Sequence, residues 1–204
     1  MLTKMSPERS VTAVRLVEAA AQLFARNGFK ATTTREIAQL AELNEVTLFR
    51  YFPRKADLFL AALESHLSRI KMSRDLQISL AGDDGPEVVV PKVVRLLVNV
   101  LTSQAELQLL LYVATIELSE ANEMIREHLG PIFDLLCGYF KRSMALGNIK
   151  DIEPSVAVFS LVGIVAAHYS LSEIFAVERL PRLDVERAIT TYVDTCLNGI
   201  LRAP

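Results

Sequence analysis

Apolar residues recur along nearly the whole chain at the three- and four-residue spacing of one face of an α-helix. The pattern begins within the first thirty residues, where Leu16, Val17, Leu23 and Phe24 share one face. Gly28 follows as a left-handed stop, so this first helix is predicted to end just before it.

Two short helices are predicted next. Thr33 is a favoured N-cap, and Glu36 three residues later completes a capping box for a helix of about two turns. After a tight turn, Asn44 caps a third helix that reaches about Phe52. Pro53 must end this helix, because proline bars helical geometry for the residue before it. Two short helices joined by a tight turn form a helix-turn-helix, whose second helix can lie in the major groove of DNA.

The rest of the chain is also predicted to be helical. A long fourth helix covers 55–79, and the segment 80–87, with two glycines, two aspartates and a proline, is the clearest break. Beyond it the periodicity predicts four or five further segments, at roughly 92–103, 105–118, 121–146, 155–176 and 184–202. Gly130 and Pro131 lie inside the third of these, so it is either kinked or two separate helices. No stretch alternates strictly between apolar and polar residues, so the predicted fold class is all-α.

Charge divides the chain into a basic first third and an acidic remainder. Residues 1–75 hold 12 Lys/Arg and 8 Asp/Glu, a net charge of +4, whereas residues 76–204 hold 10 and 16, a net charge of −6. The overall charge of −2 alone argues against a nucleic-acid partner. The excess of positive charge on the predicted helix-turn-helix argues for one.

The two cysteines, Cys137 and Cys196, stand far apart and outside any metal-binding spacing, which predicts neither a disulfide framework nor a zinc site. We therefore expect no metal and a reducing, cytoplasmic compartment. The first ten residues lack the apolar core of a signal peptide. The most apolar run, 156–175, is interrupted by polar residues and falls short of the ~20 apolar residues of a membrane span, so we expect a buried helix and no membrane partner.

Polar side chains stand at the N-terminal ends of three successive predicted helices. Thr33, Asn44 and Lys55 can each hold a phosphate oxygen beside free backbone N–H groups. Each also has a simpler role, since Thr33 and Asn44 are caps wherever they occur and a lysine is often only solvated. Together these side chains place three candidate phosphate-binding groups around the third helix, which favours DNA binding.

The third helix divides into an inward and an outward face. Leu43, Leu48 and Phe52 are predicted to pack against the first helix. The residues that face outward, and are therefore candidates for contact with DNA, are Glu45, Val46, Thr47 and Arg50.

The acidic remainder carries no catalytic pattern. It contains no phosphate-binding glycine loop, no H-E-x-x-H and no G-x-S-x-G, and His66, His128 and His168 have no partner at ligand spacing. We expect no catalytic residues, no metal and no cofactor. The alternative is a small all-helical enzyme or ligand carrier with no DNA role, in which the first three helices are only structural.

The stretch "GFKATTTREIAQLAELNEVTLFRYFPRKADLF" resembles the N-terminal domain of the tetracycline-repressor (TetR) family. That family's pattern runs Gly-Phe, Thr-Thr, a short Ile-Ala helix, a tight turn, then Thr-Leu-aromatic-x-(His/Tyr)-Phe-x-x-Lys-x-x-Leu. The similarity covers roughly residues 12–62, and the other two thirds agree only in length and helical character.

The resemblance implies a homodimeric transcription regulator, usually a repressor that a small-molecule effector releases from a palindromic operator in double-stranded DNA. It implies a helix-turn-helix DNA-binding domain at 1–54, a connecting helix at 55–80, and a helical ligand-sensing and dimerisation domain at 81–204. Dimerisation is expected on the last two long helices, 154–176 and 185–201.

The resemblance also assigns roles to individual residues. It implies phosphate contacts for Thr33, Asn44, Tyr51 and Lys55, a further backbone contact for Arg35, and positions near base edges for Glu45, Val46, Thr47 and Arg50.

Three residues depart from the family pattern. Glu42 replaces the usual turn glycine, so the turn either avoids a positive φ or carries strain of ~1–2 kcal/mol. Glu45 replaces a common lysine and is suited to accept a hydrogen bond from a cytosine N4 amine. Val46 replaces a glycine and is suited to contact a thymine methyl group. We therefore expect the operator to differ from those of better-known relatives.

An effector pocket is expected between helices in the middle of the C-terminal domain. The candidate lining residues, each of which has plain core packing as its alternative, are Tyr112, Ile116, Phe133, Phe140, Met144, Phe159, His168, Tyr169 and Phe175. Their composition favours an apolar or aromatic effector.

Overall fold

The computed structural model describes residues 7–170 and 184–200. Within these ranges the chain is helical and contains no strand, which confirms the predicted all-α class. The helices are α1 Pro7–Asn27, α2 Thr34–Leu40, α3 Glu45–Tyr51, α4 Lys55–Leu67, α5 Arg74–Ala81, α6 Pro86–Ser103, α7 Ala105–Glu117, α8 Ala121–Ala145, α9 Pro154–Tyr169 and α10 Val185–Ile200.

The first compact unit contains the chain up to Ile70 together with Gln104–His128. In it, α1 packs against α2, α4 and α7. Three aromatic rings form the centre of this packing: the Phe24 ring lies 5.1 Å from that of Phe59 and 5.7 Å from that of Phe29. These contacts bury an aromatic core directly behind the predicted helix-turn-helix.

The second compact unit contains Lys71–Ser103 and the chain from Leu129 onward. There α6 packs against α5, α9 and α10. Valines of α6 and the ring of Tyr139 are buried at its centre, and the Tyr139 hydroxyl donates to the carbonyl of Asp84 at 3.1 Å.

The boundaries of the first three helices agree with the sequence patterns. α1 ends at Asn27, and the Gly28 N–H donates to the Phe24 carbonyl at 2.9 Å with φ at +84°, which is the left-handed stop that the glycine predicted. The predicted caps Thr33 and Asn44 begin α2 and α3. Local capping signals therefore predict these helix boundaries to within a residue.

The predicted long fourth helix is wrong. α4 ends at Leu67 and α5 begins at Arg74, because the polar residues after Leu67 interrupt the apolar face and Ser73 starts a new helix by accepting from the Leu76 N–H at 3.1 Å. Whether 55–80 acts as a connector between functional domains stays a prediction, as do the domain limits at 1–54 and 81–204.

The start of α6 was also predicted incorrectly. It begins at Pro86 rather than near residue 92, since proline suits a first helical position, where no N–H donor is needed. Pro91 lies inside α6, so the helix tolerates one missing N–H. Pro131 lies inside one helix, α8, which excludes the alternative of two separate helices there. The predicted segment 155–176 agrees with α9 as far as Tyr169, and its end lies outside the described residues.

Across the described residues, no single helix is long and apolar enough to span a bilayer, and only α6 and α7 taken together reach that length and apolarity.

Acidification should destabilise the protein through His66, which is 7% exposed and whose Nδ1 lies 3.2 Å from Oε1 of Gln104. Burial, and then the nearby Arg69, lower the pKa of His66 below its ordinary value. As pH falls below about 6.5, the unfolded chain therefore binds this proton before the folded chain does, and stability is lost until the lowered folded pKa is reached.

We expect urea denaturation of His66→Gln to show a smaller loss of unfolding free energy between pH 7.5 and 5.5 than the wild type shows. Equal losses in the two proteins would contradict this assignment.

Candidate nucleic-acid interface

The N-terminus of α2 is held by a capping box. The hydroxyl oxygen of Thr33 accepts from the Glu36 N–H at 3.2 Å, and the Glu36 carboxylate accepts from the Thr33 N–H at 2.8 Å. The carboxylate also accepts from the Thr33 hydroxyl at 2.8 Å, and these two bonds to the carboxylate, the backbone N–H first and the hydroxyl second, lower the pKa of Glu36. Thr33 and Arg35 are both exposed, but the single O–H of Thr33 is donated to the Glu36 carboxylate, so donation to a phosphate requires that bond to break.

The N-terminus of α3 is held by Asn44, whose side-chain oxygen accepts from the Thr47 N–H at 2.7 Å. Leu48 is fully buried, whereas Leu43 and Phe52 are only half-buried. The inward face is therefore narrower than predicted, and Leu48 alone is its fully buried member.

The outward face of α3 carries exposed apolar and cationic groups. Val46 is 80% exposed, and Phe49 and Arg50 are also exposed. The Arg50 guanidinium lies 5.6 Å from the centre of the half-buried Tyr51 ring, which supports the cation from one side. Of the other predicted outward residues, Glu45 and Thr47 are half-buried.

Glu45 makes a contact that the sequence pattern did not predict. Its Oε1 accepts from the Thr34 hydroxyl at 2.5 Å, which joins the first residue of α3 to the first residue of α2. One lone pair of that oxygen is thereby engaged, and the other carboxylate oxygen stays open to a hydrogen bond from a base.

Lys55, the first residue of α4, is held by the loop between α1 and α2. Its ammonium donates to the carbonyls of Phe29 at 2.8 Å and Thr32 at 3.0 Å, and lies 4.5 Å from the centre of the Phe29 ring. An ammonium has three N–H donors, so one remains for a phosphate oxygen. Sequence reasoning placed Lys55 at a helix N-terminus but did not predict these contacts.

Two carboxylates far along the chain also contact this part of the first unit. The Lys30 N–H donates to Oε2 of Glu117 at 2.8 Å, and the Arg54 guanidinium lies 3.3 Å from Oε2 of Glu120 and 2.6 Å from Oδ1 of Asp57. No local signal predicts contacts between positions separated by 66 and 87 residues.

The turn between α2 and α3 adopts the strained alternative. Glu42 has φ at +54°, in the left-handed region that favours glycine. Its carboxylate accepts from the Arg15 guanidinium at 2.8 Å, with both groups exposed. The ion pair ties the turn to α1 but, at the surface, offsets little of the backbone cost.

The predicted pocket residues are distributed over both compact units. Tyr112 and Ile116 lie on α7 in the first unit and are exposed, with Ile116 79% exposed. In the second unit, the ring of Phe133 lies 5.0 Å from that of the exposed Phe159, and Phe140 is buried 5.6 Å from Tyr139.

The other pocket candidates lie in the same second unit. Met144 and Tyr169 are half-buried, and His168 Nδ1 contacts the hydroxyl of Tyr192. Phe175 lies outside the described residues. Which of these residues contact an effector stays a prediction.

Residues 16–62 match the family of bacterial regulatory proteins, tetR family. The uncharacterized HTH-type transcriptional regulator YvkB of Bacillus subtilis (strain 168) is 46% identical over 54 residues, which cover 26% of this chain and 29% of that protein. The HTH-type transcriptional repressor KstR of Mycolicibacterium smegmatis is 34% identical over 68 residues, 33% of each chain. The match thus spans a third or less of the length of these relatives.

Solved structures agree over nearly the whole length. NalD, the secondary repressor of the MexAB-OprM multidrug efflux pump in Pseudomonas aeruginosa, superposes with a TM-score of 0.71 at 20% identity, covering 98% of this chain and 100% of that one. AibR in complex with isovaleryl coenzyme A and operator DNA superposes with a TM-score of 0.71 at 18% identity, covering 90% of this chain and 97% of that one. FadR from Bacillus subtilis in complex with stearoyl-CoA superposes with a TM-score of 0.67 at 17% identity, covering 91% of this chain and 98% of that one. At these identities the structures establish the fold.

Residues 16–62 therefore carry a helix-turn-helix of the bacterial regulator type, within an all-helical fold. The sequence signature of the TetR family covers residues 16–62, in the first compact unit, and the chain as a whole agrees with the solved structures in fold.

Replacing Glu42 tests the backbone strain in the turn. Glu42→Gly should be more stable than Glu42→Ala by about 1 kcal/mol, because both lose the ion pair with Arg15 but only alanine keeps a Cβ in the left-handed region. The difference is measured by urea denaturation. A glycine variant less stable than the alanine variant would show that the turn carries no such strain.

Proposed function

We propose that this protein is a sequence-specific, DNA-binding transcriptional regulator, and that it acts as a repressor released by a small effector. The observation that carries the proposal is the outward face of α3, where Val46 and Arg50 are exposed on the short helix that follows α2 and precedes α4 in the chain. A short helix presented in this way fits the major groove, while the flanking helix ends hold phosphates. Such a regulator works in the cytoplasm, with the DNA.

The candidate contacts divide into two kinds. We assign Glu45, Val46, Thr47 and Arg50 to base edges, with Arg50 suited to a guanine and Val46 to a thymine methyl group. We assign Thr33, Arg35, Asn44, Tyr51 and Lys55 to the phosphate backbone. The first set determines which sequence is bound, and the second determines affinity and its salt dependence.

We propose that the protein is a homodimer joined through α9 and α10. One face of α9 is apolar or small and uncovered, and its members are Val156, Phe159, Gly163, Ile164 and Ala167. Phe159 is 66% exposed, and a Cβ built on Gly163 would meet no atom within 4 Å, so a helix of a second copy has room to approach. An exposed apolar stripe of this kind marks an interface.

We propose an apolar or aromatic effector held in the second unit. KstR carries the name of a repressor, and the solved neighbours AibR and FadR bind isovaleryl coenzyme A and stearoyl-CoA. Acyl-CoA thioesters are therefore the first compounds to test. Release would require the effector to bind the two states of the dimer with different affinities.

The rival function, an all-helical enzyme or ligand carrier without a DNA role, is not favoured, because the matched family is one of transcription regulators. The two are separated by binding to a duplex from the protein's own promoter region. Affinity that falls steeply with salt supports the regulator, and absence of any sequence-selective complex at low salt would support the rival.

Two substitutions test the division between base and phosphate contacts. Arg50→Ala should weaken the free energy of DNA binding by ~1–3 kcal/mol and relax specificity at a single base pair, because it removes one base contact. Lys55→Ala should weaken binding to all sequences alike and lower the slope of log affinity against log salt by about 1.

Binding would be measured by fluorescence anisotropy on the operator and on single-base variants of it. Lys141→Ala, an exposed lysine on α8 in the second unit, is the control and should bind like the wild type. If Arg50→Ala and Lys55→Ala change specificity and salt dependence in the same way, the division is wrong.

A further inference from the structure

The loop between α1 and α2, Gly28–Thr32, is tied to the end of α1. Thr32 is fully buried, and its hydroxyl lies 2.7 Å from the Gly28 carbonyl and 3.1 Å from the Leu23 carbonyl. With Gly28 in the left-handed region, the chain reverses here and reaches Thr33, the cap of α2, in a fixed conformation.

This loop also directs Lys55. Two of the three donors of the ammonium bond the carbonyls of Phe29 and Thr32, so the conformation of the loop decides where the third donor points. The same loop leads directly into the N-terminus of α2. It therefore positions two of the three proposed phosphate anchors, Thr33 and Lys55.

A carboxylate from α7 also holds the loop. Glu117, the last residue of α7, accepts the Lys30 N–H at 2.8 Å, and its Oε1 would lie only 2.8 Å from a Cβ placed on Gly28. α7 itself packs against α1 and α4. Glu117 thus fits against the one residue of the loop that has no side chain.

The negative charge of Glu117 is unfavourable for DNA binding unless the residue also positions the loop. A carboxylate beside phosphate-binding groups repels phosphate, so a residue without a positioning role would lower affinity by its presence. Its hydrogen bond to the backbone of the loop is charge-assisted and stronger than one to a neutral acceptor. The two effects act on DNA affinity with opposite signs.

We infer that Glu117 is a positioning residue for DNA binding: it holds Gly28–Thr32 in the conformation that directs Lys55 and the N-terminus of α2 toward phosphates. The inference rests on the proposed function. It assigns a role in DNA binding to a residue of α7, which lies outside the helix-turn-helix.

The test compares two substitutions on the full-length chain. Glu117→Ala removes both the acceptor and the charge, and should weaken operator binding about fivefold to tenfold and lower the salt slope by about 1, as for the loss of one phosphate contact. Glu117→Gln keeps an amide oxygen as acceptor but loses both the charge assistance and the repulsion, so it should bind within about twofold of the wild type and more tightly than Glu117→Ala. Glu127→Ala, which removes an exposed carboxylate of α8 in the same unit, is the control and should not weaken binding.

Tighter binding by Glu117→Ala would overturn the inference, because it would show that Glu117 acts only through repulsion. Weaker binding with an unchanged salt slope and a lowered melting temperature would also overturn it in favour of a general folding role.

Amide hydrogen exchange without DNA gives an independent readout. Exchange at residues 29–32 should be faster in Glu117→Ala than in the wild type, and unchanged exchange would overturn the inference even if DNA binding is weakened. Failure of the wild type to bind any duplex selectively would overturn the proposed function, and with it any DNA-binding role of Glu117, whatever the exchange shows.

Discussion

The bond between the Lys55 ammonium and the carbonyls of Phe29 and Thr32 is the contact on which the proposed interface depends. It joins the first residue of α4 to the loop that precedes α2, so that two helix N-termini distant in sequence share one local geometry. The ring of Phe29 lies under the ammonium and also against the ring of Phe59, 5.6 Å away in the core. The cation that we propose for phosphate binding is thereby held against the aromatic packing of the first unit.

The proposed recognition helix, α3, is short and depends on its surroundings for its stability. α3 has seven residues, fewer than an isolated helix needs, and is held by the Asn44 cap, by the burial of Leu48 and by the hydrogen bond from Thr34 to Glu45. The turn before it retains the strained backbone of Glu42. These constraints leave Val46 and Arg50 exposed on the outer face, where contact with a base changes little of the packing behind.

Sequence reasoning succeeded where the determining contacts are local. The capping box of Thr33 and Glu36 and the stop at Gly28 each act within four residues, and each was predicted. It failed where weak signals competed, since the apolar residues on both sides of the break after Leu67 hid the cap at Ser73.

Long-range contacts could not be predicted from the sequence at all. The bond from Lys30 to Glu117 joins residues 87 positions apart, and nothing in the pattern of α7 distinguishes Glu117 from a solvated surface carboxylate. The same holds for the pocket, because periodicity shows which residues face inward but not which of them border a space. Identification of the DNA-binding candidates was possible because helix ends and an outward face are properties of short sequence segments.

Sequence-specific DNA binding through α3 in a homodimer can be tested by selecting duplexes from a random pool with the purified protein. A dimer of this kind should enrich an inverted repeat whose half-sites are centred about 10–10.5 bp apart, or a multiple of that, since symmetry-related recognition helices meet the groove at whole turns. Enrichment of no sequence, or of a single unrepeated site, would contradict it.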